Sequence, residues 1–451
     1  MDTYFLKTDI GIFQGLDKSF CYAMLGIPFA RAKRFEYAEL VNSYGIFNAT
    51  KPGPACMQKR AFPEYEHLDV PERAFYHREF REGLSFKYSE YDGLNLNIFM
   101  PKEEGVYPVI VFIHGGGFDS GCINESPFDG ESLAKRGNVV VFIQYRVGVF
   151  GYFTHEDIHK ENGRDGNFGL DDIVKGLMWV QKNIHYFKGD ASNVTLMGQS
   201  AGAMSIQYLI CSKVANNLFH KAVMMSGAGL FPKFALPRKC EDTRAYWKEV
   251  MEICGCQSLE DFKMVDAYEI LGAVEKQKER RKDNTYNTMP VLDHYLLDEP
   301  FDKLMKSPRE LPLIIGFTNN DMFTIVIANI SRKYAKAHKA YLYYFDIDAK
   351  GDNNQAFHAA DLRYMFGTLG TSWRKYAPSD YDASNLMMDY VSSFAKTSNP
   401  NHQGAPRWDT YEGKALCFSS MDAKMEKVKN MKLIKNTFKG DPRWSGIMNL
   451  N

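Results

Sequence analysis

Gly198-Gln-Ser200-Ala-Gly202 sets a hydroxyl between glycines placed two residues to either side. The apolar run Asn193-Val-Thr-Leu-Met197 enters this stretch, and Ala203-Met-Ser-Ile-Gln-Tyr-Leu-Ile210 can leave it as a helix. A sharp strand-to-helix turn holds such a serine in a strained conformation, with its hydroxyl projecting at the edge of a sheet. The glycines keep side chains out of the turn. The helix start adds backbone N–H groups and the positive end of a dipole. The chemistry this allows is attack by Ser200 on a carbonyl carbon. His114-Gly-Gly-Gly117 suits the other half of that reaction, because consecutive glycines after a buried strand let backbone approach a ligand closely. The amides of Gly116 and Gly117, with that of Ala201, make a candidate oxyanion hole of three donors.

A serine nucleophile needs a base. The chain has eleven histidines. His358, in Gln355-Ala-Phe-His-Ala-Ala-Asp361, lies far downstream, and Asp321 lies between it and the serine, just past a strand end. The order serine, acid, histidine is the one that a G-x-S-x-G turn uses. Spacing alone leaves a surface role for His358 open. A rival motif is His155-Glu-Asp-Ile-His159, which fits the H-E-x-x-H zinc signature. A catalytic zinc needs a third ligand. Asp165 stands where one spacing calls for histidine, no glutamate occurs between Glu161 and Glu241, and Asn162-Gly-Arg-Asp-Gly166 breaks a helix. No metal and no cofactor are expected. The eight cysteines are scattered without a C-x-x-C pair, and Cys254-Gly-Cys256 is too isolated to read as a metal site.

The positioning elements read as an alternation of strands and helices. Val109-Ile-Val-Phe-Ile113 and Val139-Val-Val-Phe-Ile143 are apolar without alternation, as strands buried on both faces are. Between the second of these and the serine turn, Ile173, Leu177, Val180 and Ile184 mark an amphipathic helix within residues 170–187. A later strand, 311–317, leads to Asn319-Asn-Asp321. The pattern predicts an α/β fold on a mainly parallel sheet. Residues 232–300 are rich in charge and short helical patterns, and are expected to form a helical insertion near the site mouth within one domain of 451 residues. Glu275-Lys-Gln-Lys-Glu-Arg-Arg-Lys-Asp283 reads as a solvated helix face. The tail 424–439 is basic, with Met425, Val428, Met431 and Ile434 at helical spacing, and is expected to dock as a terminal helix, a membrane-surface helix being the alternative.

Lys+Arg and Asp+Glu are both 55, which argues against nucleic acid as a partner. The first residues lack the basic and apolar regions of a secretory signal, and no run of 18 apolar residues suggests a membrane span, so a cytoplasmic location is expected. The partner expected is a small-molecule ester, with the chain a monomer or weak homo-oligomer.

The chain resembles the type-B carboxylesterase/cholinesterase family, in particular its shorter bacterial carboxylesterase members. The resemblance spans residues from about 8 to about 420. It is carried by Leu25-Gly-Ile-Pro-Phe-Ala30, Gly53-Pro-Ala-Cys-Met-Gln58, Leu96-Asn97, His114-Gly-Gly-Gly-Phe118, Tyr145-Arg-Val-Gly-Val-Phe-Gly151 and Gly166-Asn-Phe-Gly-Leu-Asp-Asp172. Trp179-Val-Gln-Lys-Asn-Ile184, Gly189-Asp190, Asn193-Val-Thr195, the serine motif, Ser226-Gly227, Pro290-Val-Leu-Asp293 and Phe357-His358 continue it. The resemblance implies the α/β-hydrolase fold, a large mostly parallel sheet flanked by helices. It also implies ester hydrolysis through an acyl-enzyme by Ser200, His358 and an acid at Asp321. With these it implies the oxyanion amides named above, and Gln199 and Ser226 beside the triad. Departures are informative. The family usually has Glu at Asp321, Gly at Met322 and Glu at Gln199, and its choline-handling members use an early-loop tryptophan that the stretch from Cys56 to Glu90 lacks. The changes at Gln199 and in the early loop count against a cationic choline ester. The family pairs the cysteine at Cys56 with one in a Ser-Glu-Asp-Cys motif, yet Ser89-Glu-Tyr-Asp-Gly93 has none, as suits a reducing compartment. The family also contains binding proteins that have lost the serine. Here the serine, acid and histidine are all present, so catalysis is the expectation.

Overall fold

The computed structural model describes residues 2–61, 71–229, 236–281, 288–304, 308–321, 324–348, 351–352, 354–420 and 422–427. Among these residues thirteen strands make one sheet. In chain order they are β1 (Asp2–Thr8), β2 (Gly11–Asp17), β3 (Cys21–Pro28), β4 (Gly45–Asn48), β5 (Asn95–Pro101), β6 (Tyr107–Ile113) and β7 (Val139–Ile143). Then come β8 (Gly189–Gln199), β9 (Lys221–Met225), β10 (Leu313–Thr318), β11 (Tyr341–Asp346), β12 (Lys414–Ser419) and β13 (Ala423–Lys427). Across the sheet the order is β1-β2-β3-β5-β7-β6-β8-β9-β10-β11-β12-β13, with β4 beside β2. From β7 to β12 every neighbouring pair is parallel, whereas the two outer arms are antiparallel apart from β4, which runs parallel to β2.

The parallel centre follows from the apolar runs. Val109, Val111 and Ile113 of β6 join one buried cluster, while Ile110 and Phe112 join the other. A strand covered on both faces has no polar side to show, so its sequence does not alternate. Among the described residues the helices of five or more residues are α1 (Pro71–Phe80), α2 (Gly148–Tyr152), α3 (Glu156–Asn162), α4 (Phe168–Asn183), α5 (Ala201–Cys211), α6 (Cys240–Ile253), α7 (Leu259–Met264), α8 (Ala267–Arg281), α9 (Thr324–Ala337), α10 (Leu362–Phe366) and α11 (Pro378–Thr397). Ile173, Leu177 and Val180 of α4 and Ile206 and Leu209 of α5 fill one face, and Tyr364 of α10 with Tyr390, Val391 and Phe394 of α11 fill the other.

Buried polar pairs pin the connections. Arg146, just after β7, meets Asp172 of α4 with Nε and Nη2 each 2.7 Å from a carboxylate oxygen. Asn167 exchanges two hydrogen bonds of 2.8 Å with the backbone of Val291. These contacts account for several of the sequence stretches that carry the family resemblance.

Two expectations change. The tail does not begin as a helix: Ala423–Lys427 is an edge strand antiparallel to β12, with Met425 opposite Leu416. Register with the neighbouring strand overrides the helical spacing. The remainder of that predicted helix, from Val428, lies outside the described residues. The charge run on α8 is not wholly solvated either. Gln277 is buried, and Lys278 and Arg281 are paired with carboxylates. The helices α6, α7 and α8 share a third apolar cluster with Phe35, Val149, Phe150, Phe153 and Phe168, so this segment is seated on the body through Trp247, Phe262 and Ile270. Among the described residues no helix is long and apolar enough to cross a membrane.

Candidate active site

Ser200 sits between the last residue of β8 and the first of α5, with φ 55° and ψ −124°. Its amide donates to Met225 O at 2.9 Å, which ties the turn to β9. Two close approaches explain the glycines. A Cβ on Gly202 would lie 2.1 Å from Ile113 O, and a Cβ on Gly115 would lie 3.0 Å from Ser200 Cβ. The serine turn and the His114-Gly-Gly-Gly loop are therefore pressed together, at the ends of neighbouring strands β8 and β6. Ala201 opens α5, whose N-terminal dipole end favours negative charge at this point. Gly116, Gly117 and Phe118 follow with φ of 111°, 63° and 61°.

The loop beneath them is held by neutral groups. His114 is buried, stacks on Tyr145 with ring centroids 4.3 Å apart, and places Nδ1 2.8 Å from Gly115 O. Burial, with Arg60 adding to it, pushes the His114 imidazole down to about 4. Gln58 spans the far side, donating to Gly121 O at 3.0 Å and accepting from Gly121 N at 2.9 Å.

The acid and histidine come together. His358 Nδ1 lies 2.5 Å from Asp321 Oδ1. Asp321 is fully buried; its Oδ2 accepts from Ser226 Oγ at 2.5 Å and from Thr318 N at 3.1 Å. Ser226, with φ 52°, follows β9 and donates its own amide to Gly316 O at 2.8 Å. The two loops are also joined through backbone, since Asn320 N donates to Ala356 O at 2.8 Å and Asn320 bridges to Phe357. With a carboxylate at Nδ1, the ring proton sits there and Nε2 is left as the acceptor. That acceptor meets Gln199 Nε2 at 3.1 Å. Among the described residues, no hydrogen bond joins His358 to Ser200 Oγ. Such contacts commonly close only once substrate is bound.

Every site residue predicted from sequence is in this one neighbourhood, and two others are close by. Asp361 is fully buried and accepts from Tyr343 Oη at 2.6 Å. Burial, opposed by that hydrogen bond and aided by the Asp321 charge, pushes its carboxyl up to about 6. The rival motif is used structurally: His155 Nδ1 accepts from Asp157 N at 3.2 Å and caps α3.

A serine on a strained strand-to-helix turn, at the end of the parallel centre of a large sheet, defines an α/β-hydrolase. Comparison with known proteins makes the class narrower. The family model described as Carboxylesterase family matches residues 2–334 and 321–438. Para-nitrobenzyl esterase of Bacillus subtilis (strain 168) is 28% identical over 473 residues, covering 90% of this chain and 92% of that protein. Liver carboxylesterase 1 of Oryctolagus cuniculus is 28% identical over 490 residues, covering 86% and 84%. The medium-chain fatty acyl-CoA hydrolase precursor of Anas platyrhynchos is 33% identical over 313 residues, a match spanning 65% of this chain and 52% of that relative. A solved thermophilic PNB esterase superposes with a TM-score of 0.81 at 25% identity, covering 95% of this chain and 99% of the other. The chain belongs to the carboxylesterase family and is a carboxylic ester hydrolase.

Proposed function

We propose that the chain hydrolyses neutral carboxylic esters by two-step acyl transfer. Ser200 attacks the ester carbonyl as His358 takes its proton, and Asp321 orients the imidazole and stabilises imidazolium. Amides of Gly116, Gly117 and Ala201 hold the oxyanion. The alcohol leaves with the proton from His358, and water activated by the same histidine releases the acid. The observation that carries this reading is the His358–Asp321 pair at 2.5 Å beside a serine at φ 55°. Gln199 in place of a carboxylate, and the early loop without tryptophan, favour uncharged alcohols over choline. None of the eight cysteines is joined in a disulfide, which fits a reducing, cytoplasmic setting, and residues 232–300 act as an insertion within a single domain.

The test is hydrolysis of short p-nitrophenyl esters by wild type and Ser200→Ala, each with and without a chelator. Activity indifferent to the chelator and at least ~10³-fold lower in the variant is expected. A variant as active as wild type would overturn the serine mechanism.

A further inference from the structure

The oxyanion turn is closed by its own backbone, with the amides of Asp119 and Ser120 both donating to Gly116 O at 3.1 Å. Phe118 O accepts from Gly148 N at 2.7 Å, which anchors the turn to α2. The backbone of Gly116, Gly117 and Phe118 is left-handed throughout, and such backbone persists only where its surroundings over-determine it. The next side chain supplies a further constraint. Asp119 is 6% exposed, and its Oδ2 meets two ammonium groups from distant parts of the chain. One is Lys59, from the early loop; the other is Lys278 of α8, at 3.6 Å. Burial alone would raise the Asp119 carboxyl, yet Lys278 and Lys59 outweigh it and hold the group well below the usual carboxylate range.

Lys278 is itself placed by its helix. It pairs with Glu275 one turn earlier at 3.0 Å, and Arg281 in the next turn pairs with Glu249 of α6 at 2.5 Å. The charge run of α8 thus reaches past the helix surface to the loop that carries Gly116 and Gly117.

We infer that Asp119 is a positioning residue for the oxyanion-binding turn, and that through Lys278 it couples the turn to the helices α6 to α8. This inference rests on the role proposed above for the amides of Gly116 and Gly117. Asp119 has no part in bond making. Its ion pairs fix where those amides point, and a displacement near 1 Å at a catalytic group can cost about 10²-fold in rate. Ground-state ester binding does not depend on the oxyanion amides to the same degree, so the loss falls on kcat.

The experiment compares Asp119→Asn, Lys278→Met, Lys278→Arg and Asp119→Asn/Lys278→Met in the full chain. It measures kcat and KM on p-nitrophenyl butyrate, and inhibition by a trifluoromethyl ketone that forms a tetrahedral serine adduct. Asp119→Asn is expected to lower kcat by roughly tenfold to a hundredfold with KM within about twofold, and to weaken the ketone by a similar factor. Lys278→Met loses about threefold or more, Lys278→Arg restores the rate, and the double variant is no worse than Asp119→Asn, since both act on one ion pair. An unchanged kcat in Asp119→Asn, a loss confined to KM, or losses that multiply in the double variant would each overturn the coupling. If Asp119→Asn does not fold, the lysine variants decide: equal rates for Lys278→Met and Lys278→Arg defeat the inference. Ser200→Ala separates the two levels. An inactive Ser200→Ala beside a normal Asp119→Asn leaves the serine mechanism standing and removes only the coupling.

Discussion

Replacing Asp361 with asparagine should stabilise the fold at alkaline pH while slowing the reaction. Asp361 is fully buried, three residues after His358, and its Oδ1 has no protein hydrogen-bond partner among the described residues. Its carboxyl is pushed up from 3.8 to about 6, chiefly by burial. The folded state therefore binds this proton more tightly than the unfolded chain does. The associated stability is fully present below 3.8 and is lost as pH rises through about 6. A rise of that size corresponds to about 3 kcal/mol at most. Asparagine keeps an acceptor for Tyr343 and carries no charge. Its stability relative to wild type should thus climb with pH, from near parity around pH 4 to a gain of about 1–3 kcal/mol at pH 8. Urea unfolding of both proteins across that range measures the difference directly. The charge that destabilises the fold also lies near His358, where it favours imidazolium in the transition state, so kcat at pH 8 should fall several-fold, about 3–10-fold. A stability difference that is flat with pH, or that favours wild type more at pH 8 than at pH 4, would refute the reasoning.

Three other perturbations follow from the same geometry. Ser226→Ala removes the 2.5 Å donor to Asp321 Oδ2. It should cost about 1–3 kcal/mol in urea unfolding and lower kcat with little change in KM, and an unaltered kcat would show that Thr318 N alone holds the acid. Gln199→Glu puts a carboxylate beside His358 Nε2, which favours imidazolium, so the acid limb of the kcat/KM profile should move to higher pH by about one unit; a limb that stays in place would mean that the contact at 3.1 Å does not persist in the working enzyme. Gly93→Ala should lower the thermal midpoint, because the new Cβ would lie 2.7 Å from Cys56 Sγ and 2.8 Å from its Cα; overpacking of this kind costs about 1–3 kcal/mol, and an unchanged midpoint would show that the loop yields freely.

The parts of this molecule that are legible in its sequence are those where one physical demand acts alone. Val139–Ile143 is read to the residue because a doubly covered parallel strand admits only apolar side chains. Ser200 and the glycines around it are legible because hard contact, such as that between Gly202 and Ile113 O, leaves no alternative residue. The edges are less legible, since there two demands compete. In Ala423–Lys427 all five residues pair with β12 and successive side chains point to opposite faces of the sheet, a period that so short a stretch barely displays beside the longer helical spacing of Met425 and Val428. The charge run of α8 looks solvated because Lys276, Glu279 and Arg280 are exposed. Nothing in the run itself tells that Lys278 faces a carboxylate more than 150 positions earlier in the chain. Tyr343 with Asp361 is hidden for the same reason, since no spacing rule relates a strand residue to the loop after His358.

The motif around Ser200 announces strained backbone there, yet four further residues around the site carry it with no such signal in the sequence. Phe118, Ser200, Ser226, Gln355 and Ala359 all have φ between 51° and 76° without being glycine. They lie in the loop after His114, at Ser200, beside Asp321 and on either side of His358. Each such conformation costs on the order of 1–3 kcal/mol. Five of them together are comparable to the whole net stability of a typical domain, about 5–15 kcal/mol, so neither local propensity nor a few surface contacts can sustain them. The parallel centre of the sheet can, because the strands that feed the site are buried on both faces and move only as a packed unit. Substitutions that relax one of these residues, such as Ala359→Gly, should therefore raise stability and lower activity together. A gain in both would mean that the strain at that position is not part of how the site is aimed.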